Sequence, residues 1–137
     1  MPYTGQYTSS TDDRRRLVIP AEIRSVFMQR SPYPGFWAVP DIFKSTPYLL
    51  CYDIAYFEKD KKLINKRQTE FCKIDSQGRT VLKEWLETIA HIREQAVIAA
   101  SDDCETFEIW NPESFKETHE KTALEKIVAA ARRIIRV

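Results

Sequence analysis

Apolar residues along the chain fall in short clusters whose spacing alternates between that of a strand and that of a helix. Leu17, Val18 and Ile19 form a run too short for a helix. Pro20 after them suits the first position of one, where its missing N–H costs nothing. Ile23, Val26 and Phe27 then recur at helical spacing, and Leu82, Trp85, Leu86 and Ile89 do so further on; both sets are expected to cover a core. Strands are predicted over 36–39 and 48–52 in the first half, and over 96–100 and 106–110 in the second. Asp53 and Asn111 are good N-caps, because a short side-chain oxygen accepts an orphan N–H of the first turn, and Pro112 fits that turn. Pro32, Pro34, Pro40 and Pro47 confine residues 28–35 and 40–47 to loops or strand edges. The lysine-rich stretch 59–70 reads as a helix end and a linker.

From Asn111 a long helix is predicted to about residue 136. Leu124, Ile127, Val128, Ala131, Ile134 and Ile135 follow 3–4 spacing, with Glu125, Lys126, Arg132, Arg133 and Arg136 on the polar side. Such a stripe packs either on its own barrel or on a neighbouring subunit. The late arginines suit the helix C-terminus electrostatically without any further partner.

The clusters are ordered as a repeat. Residues 12–16 (Asp-Asp-Arg-Arg-Arg) and 75–79 (Asp-Ser-Gln-Gly-Arg) share the hook Asp-x-x-x-Arg, each followed by a run rich in β-branched residues. Tyr52, Asp53 and Phe57 are echoed by Trp110, Asn111 and Phe115. A unit of about 60 residues hides only ~60% of its unfolded surface, so the halves are expected to share one core about a pseudo-twofold axis. The expected class is α+β, with two tandem modules forming a small β-barrel-like core with flanking helices. The divisions are a first module over 1–60, a linker over 61–70, a second module over 71–116 and a C-terminal helix extension over 117–137.

Composition narrows the function. A formal charge of +1 gives no strong bulk field, so nucleic-acid affinity must come from local arginine clusters. No apolar run approaches the roughly eighteen residues of a membrane span, and the polar N-terminus lacks an export pattern; a cytoplasmic, nucleoid-associated protein without a membrane partner is expected. Cys51, Cys72 and Cys104 share no metal-type spacing and His91 and His119 are solitary, which predicts reduced thiols and no metal. No nucleophile–base arrangement is recognisable and three glycines make no phosphate loop, which predicts no catalytic residues, no cofactor and no small-molecule substrate. Trp37, Trp85 and Trp110 sit in apolar contexts and read as core.

An arginine hook suits double-stranded DNA. A guanidinium donates two parallel hydrogen bonds to O6 and N7 of guanine, or pairs bidentately with phosphate. Arg14, Arg15, Arg16, Gln77 and Arg79 are the predicted contacts. Asp12 and Asp75 are assigned to holding the turn, since phosphate repels a carboxylate. The alternative is that the aspartates and arginines are internal ion pairs that fix the barrel. Arg24, beside Glu22, reads as a DNA contact or as a solvated charge.

On these residues the chain resembles the MraZ family, whose modules belong to the AbrB-like swapped-hairpin group. Tyr3, Gly5 and Tyr7 stand where that family places an aromatic, a glycine and an aromatic. Residues 12–16 and 75–79 match its hooks, Ile19-Pro20 and Arg24 match the segment after the first, and residues 107–110 (Phe-Glu-Ile-Trp) match its late signature. The resemblance covers about residues 3–116. Arg14 and Arg15 replace the usual lysine and glycine of the first hook, and Lys83 replaces a proline after the second strand. If that glycine adopts positive φ, either Arg15 is strained by about 1–2 kcal/mol or the turn differs. The resemblance implies a ring-like homo-oligomer that regulates transcription by binding short guanine-containing tandem repeats at the promoter of a division and cell-wall gene cluster. An AbrB-like antitoxin and an oligomeric scaffold that has lost DNA binding stand as alternatives.

Overall fold

The computed structural model describes residues 2–31, 33–59 and 68–135 of the chain. Strand β1 (Gln6–Ser10) leads through the first hook into β2 (Arg16–Val18). Helix α1 (Ala21–Arg30), strands β3 (Gly35–Phe43) and β4 (Thr46–Tyr52), and helix α2 (Ile54–Lys59) follow. The second half runs through β5 (Glu70–Lys73), the second hook, β6 (Arg79–Val81), α3 (Glu84–Ala90), β7 (Gln95–Ala100), β8 (Phe107–Trp110) and α4 (Pro112–Ile135).

Six strands form one antiparallel sheet in the order β1-β7-β8-β4-β3-β5, curled into a half-barrel, while β2 and β6 pair separately as a short ribbon. The order is a palindrome of matching elements. Each half's opening strand pairs with the other half's hairpin, β1 with β7 and β5 with β3. At the centre β4 meets β8 with Leu50 opposite Glu108. The barrel-like core expected from sequence is therefore an open half-barrel, with β1 and β5 at its edges.

The concave face is filled by Phe36, Ala38, Leu49, Cys51, Ala96, Ile98, Phe107 and Ile109 from the sheet. Ile23, Val26 and Phe27 of α1, Leu86 and Ala90 of α3, and Leu17 of the ribbon close over them. Rings of Phe27, Phe36 and Phe107 meet at 5.1–6.0 Å between centroids. Ile89 was expected among these but is exposed, because the seven-residue α3 turns only Leu86 and Ala90 inward.

Both aspartate and asparagine caps form: Asp53 Oδ1 accepts from Tyr56 N–H and Asn111 Oδ1 from Ser114 N–H, each at 3.0 Å. Pro20 stands one residue earlier than predicted. Its ψ of 143° leaves it outside α1, and its carbonyl accepts the first N–H groups, those of Ile23 and Arg24. Lys83 does the same for α3 with ψ 147°, accepting from Leu86 and Glu87, so the proline is dispensable there. Pro40 and Pro47 lie where the β3–β4 hairpin extends past β5 and β8, each strand having a partner on one side only.

Strands β1 and β5 were not anticipated, and β5 begins at Glu70, inside the stretch read as linker. Most of that stretch, with Pro32 and Arg136, lies outside the described residues, as does the side chain of Phe57. Helix α4 runs unbroken past residue 117, and its stripe of Leu124, Ile127, Val128, Ile134 and Ile135 is exposed rather than packed on the sheet. No helix among the described residues is long and apolar enough to cross a membrane.

Candidate nucleic-acid interface

Both hooks fold into the same turn. Asp12 N–H donates to Arg16 O at 3.0 Å and Arg15 N–H to Asp12 O at 3.0 Å; Asp75 N–H donates to Arg79 O at 2.9 Å and Gly78 N–H to Asp75 O at 3.0 Å. Each aspartate reaches over its turn. Oδ1 of Asp12 accepts from the backbone N–H of Arg14 and Arg16, and Oδ1 of Asp75 from those of Gln77 and Arg79, all at 2.9 Å. Oδ2 then accepts from the arginine Nε, at 2.6 Å in the first hook and 2.9 Å in the second. These donors, the backbone N–H of Arg16 and of Arg79 foremost, hold both carboxyls below the usual aspartate range.

The ribbon carries the hooks at its two ends. Arg16 pairs with Val81, Leu17 with Thr80 and Val18 with Arg79. Opposite residues of an antiparallel pair share a face, so Leu17 and Thr80 point into the protein and are buried. The outward face presents Arg16, Arg79, Val18 and Val81, the valines 44% and 54% exposed. Arg16 and Arg79 occupy diagonal positions, about 7–8 Å apart. Their side chains keep 28% and 22% exposure while Nε is held, and neither guanidinium has a further partner among the described residues. The pairing is thus internal to each hook but lies at the surface, and the Nη edge remains able to bond bidentately.

A curated relative, the transcriptional regulator MraZ of Methylocella silvestris, is 27% identical over 128 residues, covering 83% of this chain and 76% of that protein. The chain is similar to that MraZ regulator over most of its length. No family model matches it.

The departures from the MraZ hook have a structural counterpart. Gly78 has φ +80°, and Arg15 at the matching position of the first hook has φ +62°, the left-handed region expected of a glycine there. Above Gly78 lies the guanidinium of Arg24, with Nη1 donating to Gln77 O at 3.4 Å; a Cβ on Gly78 would collide with it. Arg15 instead forms an ion pair with Glu87. Arg24 and Glu87 are 63 residues apart, as are Arg16 and Arg79. Each helix of one half thus covers the hook of the other, α1 with an arginine over a glycine and α3 with a glutamate against an arginine.

Of the residues singled out from sequence, the two turns bring together Asp12, Arg16, Asp75 and Arg79 around one ribbon. Arg14 and Gln77 are exposed beside it. Glu87 and the outward placement of Val18 and Val81 are not assigned to the site by the sequence. For Glu87 the 63-residue offset from Arg24 was the available signal. Trp110 is core, stacked on Tyr48 at 4.4 Å between centroids. Trp37 and Trp85 are half-buried, and Trp85 Nε1 donates to Glu70 Oε1 at 3.1 Å. Burial pushes the Cys72 thiol up to about 12, and that of Cys51 well above the ordinary range, which suits packing more than reactivity.

Proposed function

We propose that the chain is a transcriptional regulator that binds double-stranded DNA through its two Asp-x-x-x-Arg hooks. The observation that carries this reading is the outward ribbon face, where two guanidiniums sit on one surface, each bonded to its aspartate through Nε. The name of the MraZ relative supports it and gives no ground for an enzymatic role. In this reading Asp12 and Asp75 set the turns, Arg16 and Arg79 are the principal contacts, Arg14 and Gln77 add to them, and the valines offer apolar surface to thymine methyl groups. The palindromic sheet is then two tandem swapped-hairpin modules, divided at the lysine-rich linker. The bare stripe on α4 serves self-association, which multiplies weak hooks by avidity and offsets the near-neutral charge. The targets are short tandem promoter repeats, those of a division and cell-wall cluster by the family resemblance, and the place of action is the nucleoid.

Selection from a random 30-base-pair duplex library tests this. Enrichment of a short guanine-containing motif, lost in Arg79→Ala, is expected; recovery of unenriched duplexes would overturn it.

A further inference from the structure

We infer that Glu87 is a positioning residue that holds Arg15 away from DNA, making the two hooks unequal and leaving the second as the stronger. The inference rests on the hooks being DNA contacts. At the second hook, the helix covering the turn adds a cation, Arg24, over an uncharged Gly78. The matching place on the first hook holds Arg15 and Glu87, whose charges cancel. Glu87 is only 11% exposed and Arg15 53%, so the carboxylate lies largely shielded from solvent while the arginine, pairing with it, stays accessible.

The surroundings push the same way. The cleft beside the first hook is lined by four carboxylates, Asp12, Glu84, Glu87 and Glu94, against the two guanidiniums of Arg15 and Arg93. Beside the second hook the charged lining is Asp75 and Arg24, one of each sign. A phosphate approaching the first hook therefore meets a fixed anion and competes with it for Arg15. At the second it meets Arg24, which has no ion pair among the described residues. Glu87 acts as an internal substitute for a phosphate.

Glu87→Gln keeps the size of the side chain and removes its charge. Measured against a mixed-sequence 30-base-pair duplex, Glu87→Gln is expected to bind about tenfold more tightly than the parent, with the slope of log K against log salt steeper by about 0.9, the signature of one added phosphate contact. Arg15→Gly alone is expected to leave affinity within about twofold, and Arg15→Gly with Glu87→Gln to abolish the gain. A gain that survives without Arg15 overturns the inference, as does a parent that binds while Glu87→Gln binds no better. Failure of the parent to bind any duplex overturns this inference and the proposed function together. Melting curves of each variant distinguish altered contacts from a lost fold, and a Glu87→Gln that unfolds assigns the residue to structure and overturns the inference.

Discussion

Leu17 and Thr80 face each other at the middle of the ribbon, at matching positions of the two halves, one apolar and one polar and both buried. The Thr80 hydroxyl has no hydrogen-bond partner among the described residues. A buried hydroxyl without a partner loses its hydration and gains nothing in return. Thr80→Val, which keeps the shape, is expected to stabilise the fold by about 1 kcal/mol, read from the urea midpoint at unchanged slope. A destabilised variant would show that the hydroxyl is satisfied in solution.

Asp53 joins three parts of the chain. Its Oδ2 accepts from the Tyr3 hydroxyl at 2.8 Å and from Arg30 Nη1 at 3.1 Å, while Oδ1 caps α2. Burial, followed by the neighbouring carboxylate, raises the Tyr3 phenol well above its ordinary range, so it stays a donor. Asp53→Ala removes a fully buried anion from an ion pair together with a cap, and a loss of about 3 kcal/mol is expected. Asp53→Asn, which retains the cap, is expected to lose less. Equal losses in the two variants would assign the stability to the charge alone.

The hook carboxyls carry a pH signature. Both have folded values held below those of the unfolded chain. Their contribution is therefore present above the unfolded aspartate value and is lost as pH falls through the lower, folded one. Amide resonances of Arg16 and Arg79, which donate to these carboxylates, are expected to move together only below the ordinary aspartate range. Titration of either at or above that range would contradict the latched turn.

Glu108 shifts in the opposite sense. Burial raises its carboxyl, although Trp110 Nε1 donates to Oε1 at 2.8 Å. A raised value means that stability is fully present below the unfolded glutamate value and falls as pH rises through the folded one. Glu108→Gln keeps the acceptor without the charge. Its melting temperature is expected to exceed the parent's by a few degrees at neutral pH, with the gap closing in acid. A gap independent of pH would assign the effect to packing.

How far these features were legible in the sequence depends on how local their causes are. The ribbon strand at Leu17, the caps at Asp53 and Asn111 and the helical spacing of Ile23, Val26 and Phe27 are set by near neighbours, and the structure has them. Strands β1 and β5 were not legible because Gln6–Ser10 is polar and Glu70–Lys73 is short; each is a strand only because the other half's hairpin lies beside it. The pairing of Arg15 with Glu87 likewise spans the two halves. The Asp-x-x-x-Arg spacing, by contrast, encodes its own turn, since one carboxylate reaches N–H groups two and four residues on.

The most direct test of the two-hook interface is the salt dependence of binding to a selected duplex by the parent, Arg16→Ala, Arg79→Ala and the double variant. Each hook pair lies at the surface with its arginine partly buried, so each substitution is expected to lower the melting temperature by no more than a few degrees. The double variant is expected to bind at least about 100-fold more weakly, with a salt slope flatter by about 2. Unchanged affinity and slope in the double variant would contradict DNA recognition by the hooks.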